Sequence, residues 1–316
     1  MKKGMIGNME YIELQQGGYR MQAVPELGGQ VISLEKDGLE ALNVPADPEI
    51  FMDKSTSYGL PILFPPNRID GGKFATKTRE YQFAINEPAR GNSLHGFLHK
   101  RPWQLVKAEE DMLQMEFAAG PETDFYQYYP HAFRAVLTYQ LSETGLQQEV
   151  CIENLGSEPM PIGLGFHSAF RVEKDSLVRI SVGKRILMSD RMLPTGELRD
   201  LNEAEARFRA KGLEPVAWSM DDHYTVEPIE EGGKSFHGAI VERKEGRVFY
   251  EVDPFYQHWM IWNSNQAGNL ICLEPQNWRV NAPNLVSEGM SEQEAGFCQL
   301  QPGENLKVYA KLWIEK

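Results

Sequence analysis

At 316 residues, with 41% hydrophobic and 24% charged side chains, the chain has the apolar material for a substantial core and none of the composition that marks disorder. A formal net charge of −13 argues against nucleic acid and against anionic membrane surfaces, both of which require a basic footprint. Cys151, Cys272 and Cys298 are odd in number, far apart and without a C-x-x-C pair, so free thiols are expected rather than a disulfide framework or a zinc knuckle.

Lys2 and Lys3 open the chain, but 4–13 holds no continuous apolar stretch of the signal type, and no later run approaches bilayer length. A cytoplasmic protein is the expectation. From there the signals are those of strands: 19–24, 81–85, 113–117, 133–141, 147–152, 178–182, 247–252, 258–262, 270–273 and 306–314 are short, rich in β-branched and aromatic residues, and often alternating. Turn residues fall between them, at Glu143-Thr144-Gly145, Lys244-Glu245-Gly246 and Gln301-Pro302-Gly303-Glu304, which predicts hairpins in a mainly antiparallel system. A helix is predicted at about 201–211, with Asn202 as its cap and Gly212 as its stop. Strands lie on both sides of every Gly/Pro cluster, and no long linker or fixed repeat interrupts them. One continuous all-β domain over 1–316 is therefore expected, and that many strands are best accommodated by two packed sheets.

Chemistry-bearing residues sit in a few polar islands. In Tyr58–Ile69 two prolines stiffen the chain in extended form, and Asn67 and Arg68 follow them at a strand end, where the guanidinium can donate to sugar hydroxyls or pair with a carboxylate. His95 lies between Leu94 and Gly96, and the glycine permits close approach beside the imidazole. His99 is four residues on, but Gly96 and Pro102 oppose the helix that an H-x-x-x-H metal pair requires, so no metal is expected. His167 follows Gly163 and Gly165. Glu274 ends the apolar run Leu270-Ile271-Cys272-Leu273 before Pro275, which is expected to terminate that strand. A carboxylate there is costly to desolvate unless it is paired or functional, and desolvation raises its pKa toward the range of a general base. Asp221 and Asp222 are the remaining carboxylates of interest, or else a solvated acidic turn, and Trp259, Trp262 and Trp278 read as sugar-stacking rings or as core. No phosphate-cradling glycine loop and no nucleophile elbow occurs, so neither a nucleotide cofactor nor a serine or cysteine nucleophile is expected.

Five of these islands, in order, resemble the motifs of the aldose 1-epimerases, or galactose mutarotases: Gly59-Leu60-Pro61-Ile62-Leu63-Phe64-Pro65 with Asn67-Arg68-Ile69; Asn92-Ser93-Leu94-His95-Gly96; Gly165-Phe166-His167; Asp221-Asp222-His223-Tyr224-Thr225; and Glu274-Pro275-Gln276 with Asn281-Ala282-Pro283-Asn284. The resemblance implies a large antiparallel β-sandwich of the galactose mutarotase-like supersandwich type with a sugar cleft on one concave face. It implies an isomerase that interconverts the α and β anomers of a hexose without metal or cofactor, Glu274 acting as base on the C1 hydroxyl and His167 as acid on the ring oxygen, the two flanking one pyranose. It further implies that His95 and Arg68 polarise the ring oxygen or neighbouring hydroxyls, and that Asn67, Asp221 and Gln276 bind substrate, with Asp222 the alternative to Asp221. Ser168-Ala169-Phe170 replaces the Pro-Tyr-Phe found in many mutarotases, which is expected to alter the pocket. The competing expectations are a hexose-6-phosphate 1-epimerase, with Arg68, Arg90, Arg101 and Arg279 as candidate cations, and a sugar-binding module without turnover. The partner is in each case a small sugar, and a monomer or weak homodimer is expected.

Overall fold

The computed structural model describes residues 1–264 and 269–316. Period-two burial builds it. In Phe133–Ser142 the side chains of Phe133, Ala135, Leu137, Tyr139 and Leu141 are fully buried while Arg134 and Gln140 face water. Each large apolar side chain so buried contributes about 1.5–3 kcal/mol, and truncating Leu137 to alanine is expected to cost about 2–5 kcal/mol.

Strands of this kind form two large antiparallel sheets. The first runs Gln104–Ala108, Met112–Ala119, Phe133–Ser142, Gly145–Asn154, Asn305–Glu315, Gly246–Val252, Gly238–Arg243 and Leu177–Ile180. The second runs Pro194–Arg199, Val182–Met188, Asp221–Val226, His258–Trp262, Leu270–Gln276, Gly165–Phe166 and Ile62–Leu63, with Ser168–Arg171 also paired to Leu270–Gln276. The sheets share one apolar core, bridged by Phe170 against Tyr250 at 5.2 Å between ring centroids and by a 2.9 Å hydrogen bond between the Ser168 and Tyr250 hydroxyls. A five-stranded sheet from the first forty residues joins this core, and Tyr139 donates from its hydroxyl to the Gly29 carbonyl at 2.9 Å.

The helix predicted at 201–211 is one short turn, Glu203–Ala206, continued as a 3-10 turn at Arg207–Arg209. Asn202 and Glu205 cap it reciprocally, as the residue pattern requires. Two expectations are corrected. Asp221 and Asp222 do not form a solvated turn: they begin the strand Asp221–Val226, paired on both sides. Nor does Pro275 end its strand, which continues to Gln276. The neighbouring chain is instead interrupted between Gly165–Phe166 and Ser168–Arg171, and the His167 amide there donates to the Pro61 carbonyl at 3.0 Å, so a proline is tolerated beside the break.

Candidate functional site

The second sheet carries a cleft of about 400 Å³ on one face. Ser168 pairs with Leu273 across the strands, and extending that register by one residue sets His167 opposite Glu274. Their side chains meet: His167 Nε2 lies 3.1 Å from Glu274 Oε1, with the two side chains 8% and 2% exposed. Met260 is the cross-strand partner of Glu274 on its other side, and Trp262 that of Asp221, and all four line the cleft.

Burial controls the electrostatics. It pushes the Glu274 carboxyl well above its ordinary range, with the nearby Asp221 charge adding to the rise and Arg68 opposing it. The same burial takes the His167 imidazole down to about 3. Taken singly these shifts leave both groups neutral, but at this separation the pair holds one proton between two atoms and titrates as a unit. A neutral pair and an ion pair are tautomers of equal net charge. The second carboxyl oxygen, Oε2, is buried and has no hydrogen-bond partner among the described residues.

The opposite wall comes from two left-handed residues. Asn67 (φ 56°) and His95 (φ 62°) are joined by a 2.9 Å hydrogen bond from the His95 amide to the Asn67 carbonyl. That conformation turns the His95 ring edge-on to His167, with centroids 5.0 Å apart. His95 keeps a face open to the cleft, yet burial together with the nearby His167 and His99 rings holds its pKa well down. Arg68, 7% exposed, is gripped from behind by Glu87, which accepts from Nε at 2.9 Å and from Nη2 at 3.0 Å. Arg68 Nη2 also approaches Asp221 Oδ2 at 3.9 Å. Asn281 accepts no side-chain role in the cleft but fixes this wall, its amide donating to the Arg68 carbonyl at 3.0 Å.

Alternation along one strand separates the two aspartates. Asp221 faces the cleft, whereas Asp222 faces the opposite side and pairs with Arg185. Burial raises both carboxyls, Arg68 and Arg90 opposing the rise at Asp221 and Arg185 opposing it at Asp222.

The profile of the family described as aldose 1-epimerase matches residues 10–313. The chain belongs to the aldose 1-epimerase family. A crystal structure of a galactose mutarotase-like protein from Clostridium acetobutylicum superposes with a TM-score of 0.95 at 32% identity, covering 99% of this chain and 98% of that one. Human galactose mutarotase is 26% identical over 271 residues, 76% of each chain. The uncharacterized protein YihR of Escherichia coli K12 is 32% identical over 108 residues, so this chain spans about a third of its length in that match.

Within this aldose 1-epimerase fold Asn67, Arg68, His95, His167, Asp221 and Glu274 converge on one cleft. Gln276 does not line it: it is buried behind Asn67, from whose amide it accepts at 3.4 Å, and donates to the Trp278 carbonyl at 2.6 Å. His167 and Glu274 stand side by side on one wall of the cleft rather than facing each other across it. Ser168, Ala169 and Phe170 are all fully buried and do not themselves line the cleft. Trp259 and Trp278 are core, and Trp262 lines the cleft. Of the candidate cations Arg68 and Arg90 line it, whereas Arg101 pairs with Asp124 at 2.8 Å elsewhere and Arg279 is buried away from it. Sequence reasoning missed Thr56, Ser57, Leu94 and Met260 on the wall, and Glu87 behind it. The Met260–Glu274 pairing is the one signal that would have found any of them, and it needs the sheet register.

Proposed function

We propose that this protein interconverts the α and β anomers of a neutral aldohexose, with Glu274 as general base and His167 as general acid. The observation that carries the reading is the buried His167–Glu274 contact at 3.1 Å, opening on a cleft of pyranose size. The two oxygens that exchange protons in mutarotation, O1 and the ring oxygen, are bonded to the same carbon. An acid and a base that serve both must therefore be neighbours.

From the ion-pair tautomer, Glu274 takes the O1 proton as the C1=O1 carbonyl forms. The C1–O5 electron pair goes to O5, which receives the proton of His167. The pair is then neutral, the tautomer that burial favours, so ring opening relieves charge inside the low-dielectric cleft. Rotation about C1–C2 and reversal of the two transfers deliver the other anomer. His95, Arg68 and Asn67 supply donors to ring oxygen and hydroxyls, and Asp221 accepts from hydroxyls at the far side.

The charge balance supports a neutral sugar over a phosphorylated one. Both cleft arginines are engaged by Glu87, and Asp221 adds a further negative group. The experiment is the approach of fresh α-D-glucose and α-D-galactose to anomeric equilibrium, followed by polarimetry, for wild type and Glu274→Gln. Acceleration that falls by about two to four powers of ten in the variant is expected. A folded wild type that accelerates neither sugar sinks the proposal.

A further inference from the structure

Glu87 lies outside the cleft lining, yet it controls what the cleft offers. It stands at the base of a tight turn: its amide donates to the Asn92 carbonyl at 3.1 Å, and the Arg90 and Asn92 amides donate back to the Glu87 carbonyl at 3.1 and 3.3 Å. Within that turn its carboxylate collects Arg68 Nε and Nη2, Arg90 Nη1 at 2.9 Å and Asn92 Nδ2 at 3.1 Å. Burial alone works to raise this carboxyl, but the hydrogen bonds from Arg68, Arg90 and Asn92 outweigh it and keep it ionised. Asn92 Nδ2 and Arg191 Nε, through the Arg191 and Arg90 carbonyls at 2.8 Å each, tie the turn to the 191 loop, so the clamp has little freedom.

Arg68 and Arg90 both line the cleft. Two guanidiniums converging on one concave surface are the usual means of seizing a phosphate. Here a single carboxylate already occupies them. With the His167–Glu274 pair counted as neutral, the two arginines are cancelled by Glu87 and Asp221. A dianionic ligand would bring its charge into a cleft whose two arginines already have their charge compensated.

We propose that Glu87 is a specificity-determining residue that sets the charge of the accepted substrate, holding Arg68 and Arg90 out of an anion site so that the cleft admits neutral aldoses and refuses phosphorylated ones. The word aldose rests on the mutarotase reading above; the suppressed anion site stands on the geometry of Glu87, Arg68 and Arg90.

The test compares wild type with Glu87→Gln, which keeps the shape of the side chain and removes its charge, and with Glu87→Asp, which keeps the charge. Binding of inorganic phosphate is read by calorimetry, and α-D-glucose 6-phosphate is tried as a competitor of glucose in the anomerisation assay. Wild type and Glu87→Asp are expected to show no saturable phosphate binding, and Glu87→Gln to bind phosphate at least about tenfold more tightly, as removal of a unit charge beside two cations predicts. That gain should vanish in Glu87→Gln/Arg90→Ala, which a merely structural role for Glu87 would not require. A Glu87→Gln protein that melts like wild type and gains no phosphate affinity overturns the proposal. So does a wild type that already binds phosphate in competition with glucose, an arm that stands whether or not the variants fold. Phosphate calorimetry needs no turnover, so failure of the anomerisation assay alone sinks the activity and leaves the charge gate standing.

Discussion

Replacing Gly96 by alanine probes how tightly the backbone of the cleft is drawn. Gly96 adopts φ +60° and forms a parallel bridge with Phe64. An added Cβ would sit 2.0 Å from the Phe64 carbonyl oxygen, 2.3 Å from its carbon and 2.5 Å from the Pro65 nitrogen. Since real Cβ contacts essentially never fall below 3.0 Å, backbone must move by about 1 Å, because the three nearest atoms are all main chain. The left-handed conformation costs alanine about 1 kcal/mol, and the 3.1 Å hydrogen bond from the Phe97 amide to the Phe64 carbonyl is lost for about 1 kcal/mol more. At about 2 °C per kcal/mol for a chain of this size, the melting temperature should fall by roughly 4 °C. Because His95 is the next residue, the same shift displaces a cleft imidazole by a distance that typically costs about a hundredfold in rate. Gly38→Ala is the control: φ is +85° with nothing within 4 Å of the added carbon, so it pays the conformational cost alone and leaves the site untouched. Differential scanning calorimetry and the anomerisation assay decide. Gly96→Ala with wild-type turnover and the melting temperature of Gly38→Ala would show that the backbone beside His95 can accept a Cβ without moving the site.

Turnover needs one proton on the His167–Glu274 pair. A second proton enters near the His167 value of about 3, and the shared one leaves as pH passes the raised Glu274 value, so kcat should stay flat through the ordinary carboxylate range and fall only at pH well above it; a midpoint at the ordinary carboxylate value would contradict the assignment. All seven histidines, His95, His99, His131, His167, His223, His237 and His258, are held below 6.5 by burial. The unfolded chain therefore binds more protons, and stability, fully present above pH 6.5, should be lost as pH falls toward 4 and 3, each histidine contributing up to about 1.4 kcal/mol per pH unit; a melting temperature constant from pH 7 to 5 would contradict this. Asp221→Asn should raise KM by about ten- to a hundredfold with kcat little changed. Asp222→Asn should leave KM alone and lower the melting temperature, since Arg185 loses one of its two carboxylate partners and keeps Glu205, and the reverse pattern in steady-state kinetics would exchange the two roles.

Legibility in the sequence followed the physics of each element. Long alternating runs such as 133–141 and 147–152 were readable because one face is core and the other water. Asp221–Val226 was not: its side chains are mostly half-buried on both faces, and two adjacent acids mimic a turn. Pro275 misled because a proline inside a strand is tolerated where the neighbour is broken, a tertiary fact. The ordered motifs pointed to Glu274, His167, His95 and Arg68, but not to their spacing. That Glu274 and His167 would touch depends on the register of Ser168–Arg171 against Leu270–Gln276. Glu87 was invisible because its importance lies in what it occupies.

The strands and strand ends that place Arg68, His95, His167, Asp221 and Glu274 become neighbours through non-local pairing. The lining runs from Thr56 to Glu274, so no short segment contains the whole cleft. Non-local pairing is also the slow part of assembling a β protein, because chain must be closed into loops before contacts compensate for it. Recovered activity after dilution from denaturant should therefore trail the return of strand signal in circular dichroism, which makes sugar anomerisation a clock for the last step of folding.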